Sequence, residues 1–101
     1  MKVLVYGSLR KGFGNHHLLE NSRFLGEVKT GPHYTMYSFG GFPALSLNGD
    51  TTIVGEVYEV DEETMARLDR LEGYPNFYDR VLIPTEYGEA WMYFIHDIDR
   101  E

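Results

Sequence analysis

One segment of this sequence reads as a helix with both ends written in, and nearly everything else reads as short extended pieces. Asp61 is an N-cap residue, and Glu62 and Glu63 follow where a first turn is electropositive. Gly73 suits a left-handed C-terminal position and Pro75 blocks continuation, so the helix ends at Leu71 or Glu72. Ahead of it, residues 2–6 (KVLVY) read as a buried strand, Asn15 as the cap of a short helix over His16–Asn21, and Arg23–Thr30 as a strand turned by Gly31-Pro32. Tyr34–Phe39 is an aromatic strand broken by Gly40-Gly41-Phe42-Pro43. Ala44–Leu47 is short and extended, Asn48-Gly49 is a hairpin turn, and Thr52–Val60 is the longest strand. Phe77–Thr85 and Glu89–His96 form a last hairpin around Tyr87-Gly88, and the charged tail from Asp97 frays. One main helix can cover only one face of six to seven strands. The expected fold class is therefore α+β, a mostly antiparallel sheet curled into a partial barrel.

The chain has 101 residues, which fits a single domain over 1–101. Its 43 % hydrophobic and 25 % charged residues are ordinary globular usage, and 15 % aromatic content favours a β-rich core. A net charge of −7 repels phosphate backbones and argues against nucleic acid as a partner. It does not exclude a small anion held by backbone N–H groups. With no cysteine there is no disulfide and no thiolate nucleophile or metal ligand. Met1-Lys2 leads directly into a strand, without a signal-peptide pattern, and no apolar run reaches the roughly 18–20 residues of a membrane span. The expected setting is cytoplasmic, with no membrane partner.

One carboxylate stands where a carboxylate is costly. On a helical wheel with Met65 at zero, Leu68 falls at about 300° and Leu71 at about 240°, forming an apolar stripe, while Arg67, Asp69 and Arg70 fall outside it or at its edge. Glu72 falls at about 340°, one turn after Leu68 and on the same face. It also occupies the last turn, where the helix dipole disfavours an anion. Both effects raise a carboxyl pKa, and a raised pKa suits proton transfer near neutrality. Tyr74, Phe77 and Tyr78 are placed to wall it in. A helix-terminal glutamate that frays into solvent is the competing reading.

The other segment of interest is Tyr6-Gly7-Ser8-Leu9-Arg10, directly after the first strand. Glycine lets the backbone turn and approach a ligand, and consecutive N–H groups from Gly7 to Leu9 suit an anion-binding nest, with the Ser8 hydroxyl as an added donor. The same residues also suit an ordinary strand-to-loop turn. Phe13 stands where a phosphate P-loop requires lysine, and the glycine spacing does not fit a dinucleotide fingerprint.

Taken together, Tyr6-Gly7-Ser8-Leu9, Gly55-Glu56-Val57-Tyr58, Leu68-Asp69-Arg70-Leu71-Glu72-Gly73-Tyr74 and Tyr78-x-Arg80 resemble, in order, the γ-glutamylcyclotransferase-like family, which includes γ-glutamylamine cyclotransferases and AIG2-like proteins. The resemblance implies a small mixed α/β barrel with a cavity at one end. It implies conversion of a γ-glutamyl amine or amide into 5-oxoproline and a free amine, an acyl transfer with lyase-type release. Matched positions would make Glu72 the catalytic acid/base, and Tyr6, Gly7, Ser8 and Leu9 the substrate-binding loop. The substrate would carry its own nucleophile, so no metal or cofactor is called for.

Other constellations are weaker. His16, His17, His33 and His96 include no i,i+4 pair for a metal, and Ser8 lacks the G-x-S-x-G elbow of a hydrolase nucleophile. Glu56 reads as a solvent-facing strand residue, though a second carboxylate also raises glycoside hydrolysis. Arg80 either bridges to a carboxylate or sits on a sheet edge, and Tyr78 either meets substrate or fills the core. Arg10, Lys11 and Arg23 are solvated or help attract an anionic glutamyl group. A non-catalytic module that binds a small metabolite on the same fold is the alternative function.

Overall fold

The computed structural model describes residues 1–6, 16–39 and 42–95. The sequence readings on Gly7, Ser8 and Leu9, on Asn15 as a cap, on Gly40-Gly41 and on the tail from His96 lie outside the described residues.

Five strands make the main sheet: β1 (Lys2–Val5), β2 (Arg23–Lys29), β5 (Val54–Glu59), β6 (Asp79–Thr85) and β7 (Gly88–Phe94). Their order is β2-β5-β1-β7-β6. The first strand sits at the centre, antiparallel to β5 (Leu4↔Val57) and parallel to β7 (Leu4↔Met92). The remaining pairs are antiparallel, as is the separate ribbon of β3 (Tyr34–Phe39) and β4 (Phe42–Thr51). The helix α1 spans Glu62–Glu72, and a short 3-10 helix covers His16–Leu19. The architecture is α+β, with one main helix and a curled sheet that does not close.

Alternation along the strands decides what each face meets. Val3 and Val5, with Tyr58 and Tyr93, point to the face covered by Met65 and Leu68 of α1, Leu19 and Tyr78. Leu4, Val57, Met92 and Phe94 point the other way and pack with Leu45 and Ile53. The β3–β4 ribbon is tied to that side by a hydrogen bond from the Ile95 N–H to the Leu45 carbonyl at 2.9 Å. Met65 is 2 % exposed and Leu68 fully buried, each worth about 1.5–3 kcal/mol of apolar burial.

Both helix ends form as the sequence dictates. Asp61 is extended and its carboxylate accepts from the Thr64 N–H at 2.8 Å. Gly73 takes φ 71°, ψ 32°, its N–H bonds the Arg70 carbonyl, and the Tyr74 N–H bonds the Asp69 carbonyl. These two bonds are the Schellman closure, which occupies carbonyls that would otherwise be orphaned.

Three readings need correction. Leu71 is 44 % exposed, because the sheet contacts only a narrow arc of the helix centred between Leu68 and Met65. Thr52–Val60 is not the longest strand: β5 has six residues and β4 ten. Asn48-Gly49 is not a hairpin turn but a bulge inside β4, where pairing jumps from Thr35↔Ser46 to Tyr34↔Thr51. The bulge is held by the Thr35 hydroxyl donating to the Asn48 carbonyl at 2.6 Å and by the Asn48 N–H donating to Ser46 Oγ at 3.2 Å. Gly49 has φ 152°, and a side chain there would collide with Tyr34 and Thr35, so the glycine serves the bulge. Among the described residues, no helix is long and apolar enough to cross a membrane.

At Gly73 an added Cβ would meet Phe77 Cβ at 3.0 Å, on top of the left-handed backbone. Gly73→Ala is expected to destabilise the protein by about 1–2 kcal/mol in urea unfolding at unchanged m-value.

Candidate active site

The closed end of α1 is where ionisable side chains gather. After Gly73 the chain turns back on itself: the Phe77 N–H donates to the Gly73 carbonyl at 2.8 Å, and the Tyr78 N–H to the Glu72 carbonyl at 3.3 Å. The turn includes a cis Tyr74-Pro75 peptide. It returns Tyr78, 7 % exposed, to the core beneath the helix, and delivers the chain into β6. Glu72 itself is half-buried. Loss of water around its carboxyl raises the pKa from 4.5 to about 7.

Three phenols surround this carboxyl electrostatically. Burial pushes Tyr6 well above its ordinary value, with Tyr78 and Glu72 adding to the effect. Tyr78 is raised to about 12, first by burial and then by Glu72. Tyr93 is raised by burial, by its hydrogen bond to Asp69 and the Asp69 charge, and further by Glu72, with Arg80 opposing. All three therefore remain protonated at neutral pH and act as neutral hydroxyls. The Tyr6 hydroxyl donates to the Tyr93 carbonyl at 2.6 Å, joining the end of β1 to β7. The Tyr93 hydroxyl donates to Asp69 Oδ1 at 2.7 Å, joining β7 to the helix.

Arg80 enters from β6. Its guanidinium carbon lies 4.5 Å from the Tyr74 ring centroid and 4.4 Å from that of Trp91, so it stacks between two aromatic faces. Its Nε is 3.4 Å from Asp69 Oδ1, an ion pair whose side chains are only 16 % and 20 % exposed. The alignment is too poor for a hydrogen bond, and Nε is left buried without a hydrogen-bond partner among the described residues.

The sequence-predicted residues fare unequally. Tyr6 lies within electrostatic reach of Glu72, whereas Gly7, Ser8 and Leu9 lie outside the described residues. Tyr74 lines the turn through its stack on Arg80, and Phe77 is 54 % exposed. Arg80 satisfies both of its readings, bridging to Asp69 from a strand at the sheet edge. Glu56 is half-buried rather than simply solvent-facing, and accepts from the Tyr58 hydroxyl at 3.0 Å. Asp69 is the residue that sequence reasoning missed. Its wheel angle of about 40° from Met65 sets it at the edge of the apolar stripe, and the periodicity alone carries no signal for its partners in β6 and β7.

The family model described as "Gamma-glutamyl cyclotransferase, AIG2-like" matches residues 3–101. A Vibrio cholerae protein provisionally named a γ-glutamylcyclotransferase is 45 % identical over 98 residues, covering 97 % of this chain and 84 % of its own length. The γ-glutamylcyclotransferase family protein YtfP of Escherichia coli is 44 % identical over 93 residues, covering 92 % and 80 % of the two chains. Among solved structures, an uncharacterized protein from Pyrococcus horikoshii superposes with a TM-score of 0.83 at 35 % identity, over 94 % of this chain and 77 % of that one. The chain belongs to the AIG2-like γ-glutamyl cyclotransferase family.

The raised Glu72 pKa carries a stability consequence. A carboxyl whose folded pKa exceeds its unfolded value binds its proton more tightly when folded, so stability falls as pH rises from about 4.5 through about 7 and is level above that. Glu72→Gln removes this loss. It is expected to be neutral below pH 4.5 and stabilising by about 1–3 kcal/mol at pH 8, measured by urea unfolding across pH.

Proposed function

We propose that this protein is a γ-glutamyl cyclotransferase that converts a γ-glutamyl amine or amide into 5-oxoproline and a free amine, with Glu72 as its general acid/base. The observation that carries this reading is the half-buried Glu72 carboxyl, raised to about 7 within the field of Tyr6, Tyr78 and Tyr93. Family membership and the names of the relatives support the reaction class.

In this reading, the substrate's α-ammonium group, with a reference pKa near 7.7–8.0, gives a proton to the Glu72 carboxylate. Donor and acceptor are nearly matched, so the transfer is close to thermoneutral at neutral pH. The free amine then attacks the γ-carbonyl carbon and forms the ring C–N bond. The tetrahedral oxyanion collapses as Glu72 returns its proton to the leaving nitrogen and the bond to that nitrogen breaks; the ring nitrogen then gives up its remaining extra proton through the freed Glu72 carboxylate to the departing amine, which leaves as an ammonium ion. Because nucleophile and electrophile belong to one molecule, the enzyme's task is to hold the cyclising conformer. Tyr6 heads the segment Gly7-Ser8-Leu9, whose backbone N–H groups and hydroxyl are assigned to the glutamyl head. No cofactor enters the scheme, and the absence of cysteine from the sequence agrees with a cytoplasmic setting.

The test is release of 5-oxoproline from a panel of γ-glutamyl donors: amines, amino acids, lysine isopeptides and glutathione. The wild type is expected to turn over at least one class, and Glu72→Gln to lose at least 100-fold in kcat/KM while remaining folded. Tight binding without release by the wild type would favour the metabolite-binding alternative. The pH profile of kcat/KM is expected to be bell-shaped. It rises as Glu72 ionises near 7 and falls as the substrate amine deprotonates near 8. A profile flat from pH 6 to 9 would contradict the role of Glu72.

A further inference from the structure

The hydroxyl of Tyr6 has its hydrogen-bonding direction fixed by the fold. It donates to the Tyr93 carbonyl at 2.6 Å, a short bond at the end of β1. Parallel pairing of β1 with β7, Leu4 opposite Met92, sets that acceptor strand alongside. The ring is held as well. Tyr6 follows Leu4 on the same strand face and packs against the core that contains Leu4, Val57 and Met92. A phenol has one hydrogen to give and lone pairs to accept with. With its hydrogen spent on Tyr93, the Tyr6 oxygen can only accept, and among the described residues no group donates to it. The surrounding charge has one sign. Tyr78 and Glu72 are the ionisable groups that act on this hydroxyl, and both oppose its ionisation. A lone-pair acceptor beside a carboxylate repels an anionic ligand and suits a cationic N–H donor. Tyr93 offers similar chemistry, since its hydroxyl donates to Asp69 Oδ1 at 2.7 Å, but Tyr93 is 3 % exposed. Tyr6 is half-buried at the strand end, so of the two it is the one open to a ligand.

We propose that the Tyr6 phenol oxygen accepts an N–H of the substrate's α-ammonium group and turns that nitrogen toward the γ-carbonyl while Glu72 receives the proton. The inference rests on the proposed reaction for its substrate, and adds the polarity of the contact at Tyr6. Transfer of one proton to Glu72 leaves the nitrogen with two N–H bonds and one lone pair. A hydroxyl able to donate would bind that lone pair and block attack. The Tyr6 oxygen has no hydrogen left to give, so it holds an N–H and leaves the lone pair to the γ-carbonyl carbon. By the same argument of sign, the substrate's α-carboxylate is held away from Tyr6.

The experiment compares L-glutamine with glutaramate, the same molecule without its α-amino group, by titrating the amide NMR shifts of the full chain. The wild type is expected to bind L-glutamine more tightly by about tenfold or more. Tyr6→Phe keeps the ring and loses the oxygen. In it that ratio is expected to fall by about tenfold, while the affinity for glutaramate stays within about twofold of wild type. Tyr6→Leu also lacks the acceptor and serves if Tyr6→Phe does not fold. A hydroxyl that merely ties β1 to β7 would, when removed, weaken both ligands alike and keep the ratio. That result overturns the inference, as does equal or undetectable binding of the two ligands by the wild type. The titration needs no turnover. A preference for L-glutamine that depends on Tyr6, without release of 5-oxoproline from any γ-glutamyl donor, refutes the proposed reaction and leaves the ammonium contact standing. Release of 5-oxoproline with an unchanged ratio in the variant does the reverse.

Discussion

Closure of α1 at Gly73 governs the arrangement around it. The left-handed glycine lets two N–H groups cap the Asp69 and Arg70 carbonyls, and the chain then doubles back so that Tyr78 bonds the Glu72 carbonyl. A residue inserted or deleted between Leu68 and Glu72 would rotate Glu72 by about 100° around the axis and out of the buried arc. With the end fixed, the side chain enters a partly dry environment that an anion enters only at a cost. That cost appears as a carboxyl titrating near 7 instead of near 4.5.

The parallel pairing of β1 with β7 at the centre of the sheet does the complementary work. It sets the Tyr6 hydroxyl at the end of the first strand against the Tyr93 carbonyl. The alternation of β7 sends Tyr93 and Trp91 toward the helix side while Met92 and Phe94 fill the other core. From that face, Tyr93 reaches Asp69 and Trp91 stacks on Arg80. Apolar packing, hydrogen bonding and the ion pair thus converge on one end of one helix. The Tyr6 and Tyr93 hydroxyls there are satisfied by the Tyr93 carbonyl and Asp69, while Arg80 Nε has no hydrogen-bond partner among the described residues.

Much of this was legible beforehand, and the failures have physical causes. Asp61, Gly73 and Pro75 are local signals, and local signals fixed the helix to within a residue of its observed span. The burial of Met65 and Leu68, and the sheltered place of Glu72, followed from periodicity. Leu71 did not follow, because the width of a buried arc depends on what the helix packs against, which lies elsewhere in the chain. Asn48-Gly49 misled for a related reason: its dipeptide preference suits a positive φ, and a bulge uses that preference as readily as a hairpin.

The sequence by itself determined the class of fold, the ends of its helix, the family, and the one carboxylate set on an apolar face. These are set by residues close together in the chain, or by ordered motifs that survive as text. Only the tertiary structure decided which groups from distant segments gather at that end of the helix. Asp69, Arg80 and Tyr93 belong to α1, β6 and β7, and their convergence depends on strand order and register. Register is a long-range choice made by the packing of whole sheet faces, and no local pattern at any one of those residues records it.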